Sequence, residues 1–118
     1  MVVVDDDRAV RNSLKFSLEM EGYAVRTYSD GFELLNGPDL PPFACLVMDY
    51  NLPGMNGLEA IARLRDRYAG LSAILITTHP SAAVVHRASE AHIPIIEKPL
   101  LEDALLKQIQ AAVSSRRH

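Results

Sequence analysis

The sequence predicts an α/β domain, a five-stranded parallel sheet with helices on both faces. Three observations lead there. Five short apolar runs alternate with segments of helical periodicity along 118 residues, the pattern of repeated strand–helix units with right-handed crossovers. The third run, Ala44–Met48, is apolar without alternation, as expected of a strand covered on both faces. Reactive side chains cluster where the runs end: Asp5 and Asp6 after the first, Asp49 after the third, Thr77 after the fourth, Lys98 after the fifth. Open parallel sheets build their sites at those carboxyl ends.

Strand one is Val2–Val4, ending at Asp5-Asp6-Asp7. Helix one runs from Arg8 to Glu21, with Val10, Leu14 and Leu18 on one stripe and Gly22 at its end. Phe16 and Met20 lie off that stripe and suit either an interaction face or a second packing edge. Strand two is Tyr23–Tyr28. A short helix follows, where Asp30 and Glu33 have capping-box spacing before Leu34-Leu35 and Gly37 is the stop. The loop Gly37–Pro42 holds Pro38, Pro41 and Pro42, which excludes regular structure. Strand three is Ala44–Met48. After the Asn51–Gly57 loop, Asn56 and Glu59 repeat the capping spacing and open a helix with Leu58, Ile61, Leu64 and Tyr68 along one side. Strand four is Ala73–Ile76, and the fourth helix spans Ala82–Glu90. Strand five is Ile93–Ile96; alternation sends Ile96 into the sheet's buried layer and Ile95 towards helix four. The last helix, Leu101–Val113, carries Leu105, Ile109 and Val113.

The length is that of one domain, residues 1–118. An apolar fraction of 48% and a charged fraction of 23% are ordinary for a soluble globular chain. The net charge of −3 makes no electrostatic case for direct binding to nucleic acid or anionic membrane. The basic tail 114–118, ending Arg116-Arg117-His118, suits a frayed end or the start of a linker. Cys45 is the single cysteine, inside an apolar run, which fits a reducing compartment. No run approaches the ~20 apolar residues of a membrane span, and no signal peptide opens the chain. These readings together predict a cytoplasmic domain.

Strands one and three can be neighbours in a parallel sheet, which would gather three carboxylates at one rim. Like charges so close raise one another's pKa or hold a cation. Oxygen-only ligands favour a hard divalent ion, and Mg²⁺ is the usual choice beside phosphate. Asp7 is read as the cap of helix one, while Asp5 and Asp6 are read as metal ligands, because one acid suffices for the cap. Lys98, in Glu97-Lys98-Pro99, projects towards the same rim and could neutralise a phosphoryl oxygen. The Thr77 hydroxyl could bond another, or simply finish a strand; beside three acids and a Lys at equivalent strand ends, the site reading prevails. His79, His86, His92 and His118 lack metal-ligand spacing and are read as surface residues, with His79 overhanging the site mouth.

These residues stand in four blocks, VVVDDDRAVR, LVMDYNLPGMNG, ILITTH and IIEKPL. The ordered set resembles response-regulator receiver domains, including CheY-like single-domain forms. The resemblance spans essentially the whole chain and implies a flavodoxin-like (βα)5 fold with strand order 2-1-3-4-5. It implies Asp49 as phosphoacceptor, Asp6 as direct Mg²⁺ ligand, Asp5 holding the ion through water, and the Asn51 backbone carbonyl as a further ligand. Thr77 matches the hydroxyl switch residue, Lys98 the phosphate-binding Lys, Pro53 and Gly57 the turn after the acceptor. Pro99 matches a proline whose bond with Lys98 is usually cis. The implied donor is a phosphohistidine on a sensor histidine kinase or a histidine phosphotransfer protein. The domain would catalyse its own phosphorylation and dephosphorylation without being a turnover enzyme. Asn51 and His79 would flank the route of hydrolytic water. A homodimer through the helix-four, strand-five and helix-five face is a further implied partner, with Val84, Val85 and Ile95 as apolar surface.

Three departures from the family pattern stand out. Thr78 replaces a very small residue and is expected to crowd the phosphoryl site. Ile95 replaces a Tyr or Phe that reorients on switching. Ala91 replaces the glycine after helix four. Thr78 and Ile95 support one alternative, a receiver-like interaction module acting without phosphorylation. Another aspartyl-phosphate superfamily would need a second Asp two residues after the nucleophile, where this chain has Asn51. A flavin-binding fold wants a hydroxyl- and Gly-rich loop after strand one, where this chain has three acids.

Overall fold

A computed structural model describes residues 1–40, 45–98 and 102–115 of the chain. Its elements in order are β1 (Val2–Val4), α1 (Arg8–Met20), β2 (Arg26–Tyr28), α2 (Gly31–Asn36), β3 (Leu46–Asp49), α3 (Gly57–Arg67), β4 (Ala73–Thr77), α4 (Ala82–Glu90), β5 (Ile95–Glu97) and α5 (Glu102–Ser115). The strands form one parallel sheet in the order β2-β1-β3-β4-β5. This is the predicted doubly wound topology. No described helix is long and apolar enough to cross a membrane.

Strand alternation divides the interior into two layers. Val2, Val4, Leu46, Met48 and Leu75 face α2, α3 and α4, where they meet Leu34, Leu58, Ile61, Leu64, Val84 and Ala88. Val3, Val47, Ile74, Ile76 and Ile96 face α1 and α5, against Leu14, Leu18, Leu105 and Ile109. Burying each such aliphatic side chain contributes roughly 1.5–3 kcal/mol, so the two layers hold the central strands rigidly and fix where their carboxyl ends lie. Ile95 packs on the α4 side and Ile96 on the α5 side, as alternation predicts.

The helix starts follow the capping residues. Asp30 accepts from the Glu33 N–H at 2.8 Å, Asn56 from Glu59 at 2.9 Å, and Ser81 from Val84 at 3.2 Å. Strand ends differ from the periodicity reading. β2 lacks Tyr23–Val25 because the Tyr23 N–H goes to Leu18 O, completing the end of α1. β5 lacks Ile93 and Pro94: the Ile93 N–H closes α4 on Ala88 O, and Pro94 has no N–H to give. β3, β4 and β5 each run one residue further, so Asp49 and Thr77 are the last strand residues rather than the first loop residues.

Three surface readings are settled as well. Ala91 has φ −87°, and the left-handed residue after α4 is His92 at φ 57°; the strain a glycine would relieve therefore sits one position later than expected. Val84 is core while Val85 is exposed, so the pair does not form one apolar surface. Phe16 and Met20 are exposed and make no packing edge. The expected strand start at Ala44, helix start at Leu101, the Lys98–Pro99 bond and the tail 116–118 lie outside the described residues.

Candidate functional site

The site forms where β1, β3, β4 and β5 end. β1 and β3 pair with Val4 opposite Met48, so the next residue of each strand, Asp5 and Asp49, lies beside the other at the rim. Asp5 is 1% exposed and Asp49 2%. Asp49 Oδ1 accepts the Asn51 backbone N–H at 3.0 Å, and Asp49 Oδ2 accepts from Lys98 Nζ at 3.1 Å. Lys98 follows β5, its own N–H donating to Thr77 O at 2.9 Å, and reaches past β4 to β3. Two strand spacings of ~4.8 Å separate those strands, a span that the four-carbon stem of lysine helps bridge. Thr77 is buried at the end of β4, between the strands that supply Asp49 and Lys98.

The three neighbouring acids have divided tasks. Asp7 caps α1, accepting from the Ala9 and Val10 N–H groups. Asp5 Oδ1 accepts the Asp7 N–H at 2.9 Å. Its Oδ2 is buried without a hydrogen-bond partner among the described residues and lies 3.6 Å from Lys98 Nζ. Asp6 is exposed, yet carboxylate oxygens of Asp5, Asp6 and Asp49 all fall within 4.8 Å of one another. An orphaned buried oxygen in an oxygen-only cluster is the donor set a hard divalent cation completes. The residues present fit such an ion.

Burial pushes the Asp5 carboxyl up to about 6; the Asp7 N–H opposes this, Asp49 and Asp6 add to it, and Lys98 opposes it. For Lys98 burial acts downward, but the hydrogen bond and charge of Asp49 and the charge of Asp5 outweigh it, and its pKa lies above the ordinary value. The native Asp5 thus holds its proton more tightly than an unfolded Asp with pKa near 3.9. As pH rises from about 4 to about 6 it costs stability, and the loss persists above that window. Asp5→Asn, which keeps an acceptor for Asp7, is expected to stabilise the metal-free protein at neutral pH by on the order of 1–2 kcal/mol. Urea unfolding in EDTA at pH 7.5 and pH 4 checks this. The gain should shrink at pH 4, and a variant no more stable than wild type at pH 7.5 would show the cluster to be unstrained.

Asp5, Asp6, Asp49 and Lys98 thus meet at one point, with Thr77 on the same rim and Asn51 attached through its N–H. Thr78 and His79 are exposed, and His79 holds a left-handed φ of 48°. Two contributors escaped the sequence reading. Arg11 Nη1 donates to the Asp5 carbonyl at 2.7 Å, fixing the β1–α1 turn from one turn inside α1; nothing in its local pattern marks it. Gly57 matched only as a turn residue, but a Cβ there would stand 2.5 Å from the Asp49 carbonyl oxygen.

A profile described as "Response regulator receiver domain" matches residues 1–110. The transcriptional regulatory protein FixJ of Bradyrhizobium diazoefficiens is 30% identical over 112 residues, covering 94% of this chain and 55% of that protein. The response regulator MprA of Mycobacterium avium is 35% identical over 117 residues, covering 94% of this chain and 49% of that protein. The chain therefore spans about half the length of these two curated relatives. Among solved structures, a CheY-like response regulator receiver domain protein from Methanospirillum hungatei superposes with a TM-score of 0.90 at 28% identity, covering 98% of this chain and 94% of that one. Vibrio cholerae chemotaxis protein CheY4 gives a TM-score of 0.85 at 27% identity, covering 94% and 95%.

Proposed function

Because this chain belongs to the response regulator receiver family, we propose that it accepts a phosphoryl group on Asp49 and relays that state to a partner surface. The supporting observation is the fixing of both Asp49 oxygens, Oδ1 by the Asn51 N–H and Oδ2 by Lys98 Nζ, beside the Asp5 oxygen that has no hydrogen bond and stands 3.6 Å from Lys98 Nζ. A carboxylate so held is oriented rather than free to rotate, which supplies part of the barrier reduction for in-line attack. An Asp49 oxygen forms the new bond to phosphorus while the donor's P–N bond breaks, and the imidazole leaves. Lys98 offers its positive charge to the phosphoryl oxygens as a point donor. The Thr77 hydroxyl, at the end of the neighbouring strand, would bond the transferred group and so register its arrival.

Asp5, Asp6, Asp49 and the Asn51 carbonyl would hold Mg²⁺, with Asp6 direct and Asp5 acting through water. When bound, the ion offsets the negative charge of carboxylates and phosphoryl group and lets the two approach. The phosphoryl group stays on the chain until hydrolysed there, so the domain serves as a signalling acceptor and not a turnover enzyme. Response regulators partner with sensor histidine kinases; a kinase or a histidine phosphotransfer protein is the proposed donor here, in the cytoplasm. Residues 1–118 would act as one domain, with 114–118 leading into a linker. The α4, β5 and α5 face, with exposed Val85 and half-buried Ile95, would be the output or homodimer surface. The intact Asp49–Lys98 pair favours this reading over a module that acts without phosphorylation.

Incubation with acetyl phosphate and Mg²⁺, followed by intact-mass measurement, tests the proposal: one phosphoryl group should be gained, and EDTA should prevent it. No gain with Mg²⁺ present would overturn the acceptor reading. Asp6→Asn removes an exposed anion from the cluster without touching the cap of α1. It is expected to weaken Mg²⁺ binding roughly tenfold and slow labelling alongside. A Mg²⁺ titration unchanged in that variant would remove Asp6 from the ion's ligands.

A further inference from the structure

The loop from Tyr50 to Asn56 carries Asn51, whose N–H holds Asp49 Oδ1. Its far end is pinned by backbone: the Gly57 N–H donates to Tyr50 O at 2.9 Å. Between those anchors Asn51, Pro53 and Gly54 are exposed while Leu52 packs against the core, and an exposed stretch held by few side chains opens readily. Two features of α2 meet its middle. Met55 is buried against the start of α2, its Sδ 3.5 Å from where a Cβ on Gly31 would stand. Phe32, one residue on, lies over Gly54: a Cβ at Gly54 would be 2.8 Å from Phe32 Cε2 and 3.6 Å from Cζ. The ring edge occupies the space where any other residue's side chain would begin, and Gly54 is at φ 74°, a backbone that L side chains rarely adopt. Phe32 is 43% exposed. Its ring therefore contributes little to the core and covers the loop instead.

We propose that Phe32 is a positioning residue for the acceptor site, its ring clamping Gly54 so that Asn51 stays on Asp49 and the loop stays beside the acidic cluster. This rests on the proposed acceptor reading and adds how the loop is held. α2 follows β2 directly, and the Tyr28 carbonyl of β2 accepts the Asp5 N–H at 3.2 Å. The clamp thus ties the Asp49 loop to the same edge that holds Asp5. Loss of the ring frees the loop while the hydrophobic layers stay intact, so the signature is local opening without global unfolding.

Amide hydrogen exchange on the full chain, without metal, reads the clamp directly. In Phe32→Ala the Asn51 amide should exchange about tenfold faster than in wild type, while the Leu75 amide, bonded to Pro94 O inside the sheet, is unchanged. Phe32→Tyr, which keeps the ring, should restore the wild-type rate. A titration with Mg²⁺ alone, followed by chemical shifts, should show several-fold weaker binding in Phe32→Ala and not in Phe32→Tyr. Equal Asn51 exchange in wild type and Phe32→Ala overturns the proposal, as does acceleration of Asn51 and Leu75 by the same factor, which would make Phe32 a stability residue only. A wild type that ignores Mg²⁺ would overturn the metal reading instead, and the Asn51 rate would still decide the clamp.

Discussion

Asp49→Asn is expected to lower labelling by acetyl phosphate and Mg²⁺ by at least roughly 100-fold, because the amide cannot act as an anionic nucleophile. The substitution is nearly isosteric. Its Oδ1 can still accept the Asn51 N–H, but its Nδ2 then faces Lys98 Nζ, donor against donor, and Lys98 is left with Asp5 at 3.6 Å. Loss of the Lys98 bond offsets the relief from removing one of three neighbouring negative charges, so the fold should stay about as stable as wild type. Loss of labelling with an unchanged urea midpoint therefore isolates chemistry from folding. Labelling of the variant at the wild-type rate would remove Asp49 from the reaction, and mapping of the group to Asp5 or Asp6 would reassign the acceptor.

Gly57→Ala is expected to be the most destabilising single-methyl change at the site. The added carbon would lie 2.5 Å from the Asp49 carbonyl oxygen and 2.9 Å from Leu75 Cδ1. The first of these neighbours is backbone in a central strand, paired on both sides, and cannot retreat. The start of α3 must move instead, at about 2–4 kcal/mol. Gly70→Ala is the control: Gly70 is at φ 74°, and among the described residues beyond its chain neighbours no atom lies within 4 Å of an added Cβ, so its cost is backbone strain of roughly 1 kcal/mol. Urea midpoints for the two variants give the comparison. A Gly57→Ala variant no less stable than Gly70→Ala would mean that α3 slides freely, and the close packing of its first turn on β3 would lose its significance.

Element identity was legible because burial imposes a period. Val10, Leu14 and Leu18 follow a helical period, and the unbroken Ala44–Met48 run is of the sort that doubly covered strands show. Element ends were less legible. Tyr23 and Ile93 read as strand residues by side chain, but their N–H groups close α1 and α4. Backbone hydrogen bonds leave no trace in side-chain periodicity, which therefore does not show that the left-handed residue after α4 is His92 and not Ala91. The candidate set was legible because Asp5, Asp6, Asp49, Thr77 and Lys98 all stand at the ends of apolar runs. The supporting set, Arg11, Phe32 and Gly57, was not, since each acts on a backbone atom distant in sequence or on a neighbouring element.

By itself, then, the sequence determined the order of elements, the two faces of each strand, and the kinds of side chain delivered to one rim of the sheet. These follow from local periodicity and from the handedness of strand–helix–strand crossovers. Tertiary structure alone decided that one Asp5 oxygen is buried without a hydrogen bond, that Lys98 bonds Asp49 while standing further from Asp5, and that Phe32 lies on Gly54. Those outcomes depend on distances between strands and helices that only packing sets. A shift of one ångström there changes a hydrogen bond into a gap, and no residue's own neighbours in sequence record it.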